Sequence, residues 1–144
     1  MKLKYVAALA ACVGIAGCAT PYSSSGLTGG YSQQRVNERI VKVNFFGNGY
    51  IAADRVQTFA LYRCAEMARE AKKPYFVLYD SLLAAARDVP ASQPRVGTLG
   101  GKPMAFALVK LEDGPRPGAQ EVSAVLAELA PQVQPGANAA GAQR

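Results

Sequence analysis

Histidine is the most informative absence in this sequence, which contains none among its 144 residues. Its absence removes the usual general base, the usual zinc ligand, and both the Ser-His-Asp and Cys-His arrangements of nucleophilic enzymes. The remaining residues show no metal-ligand spacing, so the sequence predicts neither a metal nor a cofactor. An enzyme built on this chain would have to work with arginine, tyrosine and carboxylate side chains.

Long apolar runs are also missing. Lys2 and Lys4 are followed by an uncharged, mostly apolar stretch at 5–17. This stretch is shorter than the roughly 20 residues that a membrane-spanning helix needs, and no later one is long and apolar enough. A basic start followed by a short apolar run is typical of a secretory signal. The sequence therefore predicts export, with a signal peptide at 1–17, rather than a transmembrane anchor.

The end of this signal, Ile15-Ala16-Gly17-Cys18, resembles the lipobox of bacterial lipoprotein precursors. The resemblance implies diacylglyceryl transfer to the Cys18 sulfur, cleavage before Cys18, and acylation of the new amino terminus. The acyl chains, palmitate among them, would be the protein's contact with the membrane. Ala19 stands where an aspartate would favour the inner membrane, which favours the outer membrane's inner leaflet, facing the periplasm. The alternative is an ordinary export signal with an incidental cysteine.

Cysteine is scarce, with three residues at 12, 18 and 64. Cys12 would leave with the signal and Cys18 would be acylated, so the mature chain would hold one free thiol and no internal disulfide. Cys64 lies on the apolar stripe of a predicted helix, where a free cysteine behaves as a small hydrophobe. Core packing is therefore the favoured interpretation of Cys64, and catalysis the disfavoured one.

Acidic residues are fewer than basic ones, 10 against 16. Removal of the signal would take away two lysines and leave a mildly basic chain without a run of five or more like charges. This balance is compatible with anionic partners in the cell envelope, but it identifies none. Nucleic acid is not an expected partner of an exported chain that lacks a basic stripe.

Hydrophobic periodicity predicts a single α+β domain at 31–130, between a lipidated Ser/Gly-rich tether at 18–30 and a disordered tail at 131–144. The predicted strands are 31–37, 39–46, 75–80 and 104–111, and the predicted helices are 52–72 and 119–130. The order β-β-α-β-β-α favours a small, mainly antiparallel sheet with helices on one face. Residues 84–103, with three prolines and three glycines, predict a long loop.

Residues 47–52 match the G-x-G-x-x-G/A fingerprint of dinucleotide binding. No acidic residue follows at a strand end about 20 positions on, where that fingerprint requires one. A strand-to-helix turn, with glycines at positive φ, is the better interpretation. Tyr50 is then expected to cover the first helical turn beside Val56 or Phe59.

Three polar residues are possible ligand-binding groups, provided that they share one concave pocket: Tyr50, Arg63 and Glu66. Glu66 and Glu70 lie four residues apart on one helical face, a spacing that could hold a cation. Basic neighbours on the same helix favour ion pairs instead.

Four motifs carry a resemblance to a known family: Gly-Gly-Tyr-Ser at 29–32, Phe-Phe-Gly-Asn-Gly-Tyr at 45–50, Leu-Tyr-Arg-Cys-Ala-Glu at 61–66 and Tyr-Phe at 75–76. Over residues 14–80 the chain resembles small proteobacterial envelope lipoproteins. The resemblance implies an outer-envelope lipoprotein with no assigned activity and no catalytic residue. The family often has threonine where this chain has Ile51, so part of a helix-capping box is lost.

These features predict a membrane-anchored, non-enzymatic periplasmic protein that binds or scaffolds an envelope partner the sequence does not identify. Two alternatives stay open. One is a small-ligand sensor that uses a pocket between sheet and helix, and the other is a histidine-independent envelope enzyme. A concave pocket that holds Tyr50, Arg63 and Glu66 together would favour either alternative.

Overall fold

The computed structural model describes residues 21–26 and 29–134; the predicted signal peptide, Cys18 and residues 135–144 lie outside this part of the chain. The described part holds a six-stranded antiparallel sheet and three helices, which confirms the predicted α+β class. In chain order the elements are β1 (Gly30–Arg35), β2 (Ile40–Phe46), α1 (Ala53–Glu70), β3 (Tyr75–Tyr79), α2 (Leu82–Ala86), β4 (Arg95–Leu99), β5 (Lys102–Glu112), β6 (Ala119–Glu121) and α3 (Val122–Val133).

The 11-residue strand β5 organises the sheet, because it pairs with three other strands. One edge of β5 pairs with β2, from Met104 opposite Phe46 to Lys110 opposite Ile40. The other edge is shared: β3 pairs with residues 108–112 and β4 with residues 102–106. Strands β3 and β4 therefore lie end to end. The sheet continues with β1 beyond β2 and with β6 beyond β3.

Strand β2 presents alternate residues to the two faces of the sheet. Val43 and Phe45 are fully buried in the apolar clusters that include residues of α1. Because successive strand residues point to opposite faces, Lys42 and Asn44 point to the other side of the sheet. Helix α1 lies across the sheet face that carries Val43 and Phe45. Nine of its 18 residues are buried, because the sheet covers one side of the helix and α3 covers another.

The short helix α2 packs on the sheet face opposite α1. The sequence predicts helices on one face only, so α2 is an addition to the predicted arrangement. Strand β3 is apolar on both faces: Phe76 and Leu78 join the cluster under α1, whereas Val77 and Tyr79 are buried on the other side. A strand with two apolar faces needs cover on both. Helix α2 provides that cover with its alanines.

The prediction of a long loop at 84–103 is wrong, because α2 overlaps the start of this stretch and β4 lies within it. Helix α2 begins after Ser81, whose hydroxyl accepts a hydrogen bond from the Ala84 N–H at 3.0 Å. Strand β4 is joined to β5 by the two-residue turn Gly100-Gly101, with φ angles of 58° and 76°. Two glycines between strand residues are a strong hairpin signal, which the sequence interpretation missed.

The C-terminal helix begins and ends later than predicted. Residues 119–121, predicted as helix, form β6 and pair with residues 75–77 of β3. Helix α3 also continues through Pro131, which the sequence predicts as its end. A proline costs a helix the bond that its own N–H would donate. Here Val133, beyond the proline, packs against the cluster that includes Phe45.

The corner between β2 and α1 differs from its prediction. Positive φ angles occur elsewhere in the described chain, and neither Gly47 nor Gly49 has one. Gly47 is needed for a close approach, because an added Cβ would lie 2.5 Å from Ile51 Cγ2 and 2.8 Å from the Pro103 carbonyl oxygen. Tyr50 is 75 % exposed, so it does not cover the first turn of α1; Ile51 takes the buried position instead.

We expect Gly47→Ala to lower the free energy of unfolding by about 1–3 kcal/mol, since the new methyl group must displace a backbone carbonyl. Gly49→Ala is the matched control. An added Cβ there meets nothing within 4 Å, so its effect should stay below about 0.5 kcal/mol. Denaturant melts of both variants measure the difference. Equal losses in the two variants would contradict the close-approach explanation.

Candidate functional site

Two of the three predicted ligand-binding residues lie side by side, and the third does not join them. Arg63 Nη1 is 3.3 Å from a carboxylate oxygen of Glu66, on α1. Tyr50 is exposed at the β2–α1 corner and lies apart from this pair. The tyrosines that contact this pair are Tyr31, from β1, and Tyr22, which precedes the sheet.

Arg63 is a buried cation, with only 9 % of its side chain exposed. Its Nη1 and Nη2 atoms lie 2.9 and 3.1 Å from the two carboxylate oxygens of Glu70, and Nη2 also donates to Gln33 Oε1 at 3.0 Å. The guanidinium carbon is 4.6 Å from the centroid of the Tyr31 ring, a cation–π distance. Burial alone would lower the pKa of Arg63, but its bonds to Glu70 and Glu66 outweigh burial and raise it.

Tyr22 completes this group from the N-terminal side. Its hydroxyl donates a hydrogen bond to Glu66. Burial and the adjacent carboxylate raise the pKa of Tyr22, so the hydroxyl keeps its proton. Four aromatic rings surround it at centroid distances of 5.2 to 6.3 Å: Tyr31, Phe45, Phe59 and Tyr62. We refer to Tyr22, Tyr31, Gln33, Arg63, Glu66 and Glu70 together as the Arg63 cluster.

Regular secondary structure explains how most of the Arg63 cluster is assembled. Arg63, Glu66 and Glu70 are three and four residues apart, which places them on one side of α1. Tyr31 and Gln33 alternate on β1 opposite Phe45 and Val43 of β2, on the sheet face that α1 covers. The helix and the edge strand therefore present their polar side chains to the same space.

The docking of Tyr22 depends on a glycine in β1. Gly30 has a φ of 124°, and an added Cβ would lie 2.5 and 2.6 Å from the carbonyl oxygens of Ser23 and Ser24. This close approach lets the N-terminal segment, residues 21–26, lie against β1. Two backbone hydrogen bonds of 2.8 Å join them, from the Tyr31 N–H to Ser23 and from the Ser25 N–H to Tyr31.

Part of the stretch predicted as a tether, 18–30, is folded against the domain. The described residues of that stretch, 21–26 and 29–30, belong to the folded part of the chain. The aromatic residue Tyr22 among small polar residues, and the Gly29-Gly30 pair after it, are the signals that could have indicated this. Both were available in the sequence and were missed.

The side chains of the Arg63 cluster hold the chain's own N-terminal segment against α1 and β1. Glu66 and Glu70 both pair with Arg63, which confirms their interpretation as ion-pair partners. In the described ranges, no group of three or more Cys, Asp and Glu side chains is placed to hold a metal ion.

A second concave surface lies on the other side of the sheet, between α2 and the β1–β2 turn. It has a volume of about 720 Å³, and its lining includes Arg39, Ile40, Tyr79, Leu82 and Lys110. We refer to it as the α2 groove. The sequence gives no signal for it, because its walls come from a turn, a five-residue helix and three strands, and these elements are distant from one another in sequence.

An ion-pair network lies at the side of the α2 groove. Asp88 accepts hydrogen bonds from the Tyr79 hydroxyl, at 2.6 Å, and from Arg116. Lys110 and Arg116 each bind Glu112, at 2.8 and 2.9 Å. The hydrogen bond from Arg116, followed by the one from Tyr79, lowers the pKa of Asp88 to about 2. Asp88, Lys110, Glu112 and Arg116 are thus paired with one another at this side of the groove.

Cys64 lies in the core, as predicted. It is fully buried between α1 and the sheet, within the cluster that contains Phe76 and Val109. Burial raises the pKa of the Cys64 thiol, although Arg63 acts in the opposite direction. A protonated thiol in the core is a poor nucleophile.

Within the described ranges, no helix combines the length and the apolar character that a membrane crossing requires. Comparison with protein-family models, with curated proteins and with solved structures finds no match for the chain.

The docking of Tyr22 can be tested against Tyr50 as a matched control. Tyr22→Ala should lower the free energy of unfolding by about 2 kcal/mol, below the 3–5 kcal/mol of a fully buried aromatic ring because Tyr22 is half-buried. Tyr50→Ala should change it by less than about 0.5 kcal/mol. Chemical denaturation of the purified protein checks both values. The reverse order of effects would show that the N-terminal segment does not contribute to the fold.

The burial of Cys64 predicts slow modification. In the native protein Cys64 should resist alkylation by maleimide at neutral pH, and it should react fully after denaturation. Leu83→Cys, at a position 57 % exposed on α2, provides the reactive control. Mass spectrometry of the labelled protein reports both thiols. Labelling of Cys64 as fast as that of the control would contradict its place in the core.

Proposed function

We propose that this protein is a lipid-anchored, non-enzymatic binding or scaffolding protein of the bacterial cell envelope. The anchor is the diacylglyceryl group on Cys18, and the domain faces the periplasm from the inner leaflet of the outer membrane. Its partner is a component of the envelope rather than a nucleic acid. The basic and apolar start of the chain and the lipobox-like residues 15–18 support the anchor.

The observation that carries this proposal is the docking of Tyr22, four residues after Cys18. A fully extended chain spans at most about 3.3–3.6 Å per residue, so four residues reach about 14 Å. The Arg63 cluster therefore holds the domain within that distance of the lipid-bearing residue. A free tether of about 12 residues would allow the domain a much larger range of distances from the membrane than this docked segment does.

The chemistry of the Arg63 cluster also favours binding over catalysis. A catalytic arginine needs a free face toward its substrate, whereas Arg63 is occupied by two carboxylates, an amide and an aromatic ring. A catalytic thiol must reach its thiolate form, whereas burial raises the pKa of Cys64. The groups with the most unusual surroundings therefore stabilise the fold and the N-terminal segment.

Cys18→Ser should abolish incorporation of labelled palmitate and leave the unprocessed precursor, because a hydroxyl does not replace the thiolate as acceptor. Cys12→Ser, six residues earlier within the predicted signal, is the matched control and should be labelled and processed normally. Gel analysis after metabolic labelling measures both. Normal labelling of Cys18→Ser would refute the anchor.

A further inference from the structure

We propose that one end of the sheet is a membrane-docking surface, which contacts phospholipid headgroups through Tyr50, Leu99 and Lys102. This anchor-side end consists of the β2–α1 corner around residues 48–50 and the β4–β5 turn at 99–102. The proposal rests on the lipid anchor at Cys18 and adds an orientation to it. In this orientation, strands β2 and β5 point with this end toward the bilayer.

The side chains at this end suit a membrane interface. Tyr50 is 75 % exposed and Leu99 is 61 % exposed. Single exposed apolar residues are common on soluble proteins, so exposure by itself carries little weight. Tyrosine, however, is enriched at headgroup level, where its ring is shielded and its hydroxyl stays in water. Lys102, exposed and directly opposite Leu99 in the hairpin, supplies a charge that anionic lipids attract.

The position of the N-terminal segment is the independent observation. The Tyr22 ring packs against Tyr31 and Phe45. These two residues belong to one row across the sheet, Tyr31–Phe45–Ala105–Val96. Leu99 is three residues beyond that row in β4, a rise of about 10 Å. Because Cys18 lies within about 14 Å of Tyr22, the anchor can reach the end of the sheet that carries the exposed side chains.

The segment after Tyr22 extends to the same end. Ser25, Gly26 and Gly29 line a depression of about 530 Å³ together with Asn48, Leu99 and Lys102. The segment that leads from the anchor therefore borders the same surface as Leu99 and Lys102. The exposed leucines of α2, Leu82 and Leu83, lie on the sheet face opposite α1 and provide internal controls.

The test uses the absence of tryptophan from the chain, since each substitution then creates a single fluorescent reporter. Tyr50→Trp, Leu99→Trp and Leu83→Trp are prepared in the full lipidated protein and reconstituted into vesicles of phosphatidylethanolamine and phosphatidylglycerol. Part of the lipid is brominated near the top of the acyl chains. We expect the first two reporters to shift to shorter wavelength and to be quenched at least twofold more than Leu83→Trp. Equal, weak quenching at all three positions would overturn the proposal.

Flotation of the vesicles separates a failure of docking from a failure of the anchor. Protein that does not float lacks the anchor and overturns the proposed function itself. Protein that floats with all reporters unquenched retains the anchor and overturns the docking surface alone. Protection of Tyr50→Trp in native envelopes but not in vesicles would identify a protein partner at this surface and overturn the bilayer as its occupant.

A charge variant tests the contribution of Lys102. Lys102→Gln, combined with Tyr50→Trp, should reduce quenching in vesicles that contain phosphatidylglycerol and leave it unchanged in vesicles of phosphatidylcholine alone. Attraction of a lysine to an anionic surface has this dependence on lipid charge. An equal effect in both kinds of vesicle would exclude headgroup charge as the role of Lys102.

Discussion

The burial of the Arg63 guanidinium is the constraint on which the N-terminal side of the structure depends. A cation removed from water is tolerated only where carboxylates and hydrogen-bond acceptors replace its hydration. Glu70 provides the bidentate contact, Gln33 accepts a further hydrogen bond from Nη2, and the centroid of the Tyr31 ring lies 4.6 Å from the guanidinium carbon. Loss of either carboxylate would leave the buried charge incompletely paired. The same guanidinium joins α1 to β1 through its hydrogen bond to Gln33 and its contact with the Tyr31 ring.

Glu66 links this constraint to the aromatic cluster. Its carboxylate is shared between Arg63 and the Tyr22 hydroxyl, and Arg69 adds a weaker contact at 3.8 Å. The same side chain thus neutralises a cation and fixes the polar end of a tyrosine whose ring is otherwise surrounded by apolar groups. Buried tyrosines generally need such a partner for the hydroxyl. The fit of Tyr22 is therefore specific for a ring that carries a hydroxyl.

Local patterns explain which parts of the fold are predictable. The alternation in β2 and the helical period that buries Cys64 are encoded within a few residues, and the structure shows both. The proximity of Arg63 and Glu66 follows from their spacing on one helix. The contact between Tyr22 and Glu66 spans 44 residues, and no periodicity reports it. Helix α2 is too short for its period to be recognised, and β4 contains a glycine and is mostly exposed.

By allowing the N-terminal segment to dock, Gly30 affects the effective concentration of an anchored domain relative to its neighbours in the membrane. In a chain anchored at Cys18, the docked segment restricts the domain to a radius of about 14 Å, whereas an undocked stretch from Cys18 to Gly30 would extend to about 40 Å. Since accessible volume grows with the cube of the radius, undocking would dilute the domain roughly 20-fold with respect to any neighbour fixed in the same membrane. A methyl group at position 30, which would meet two carbonyl oxygens of the segment, would therefore weaken such an encounter without touching the surface that makes it.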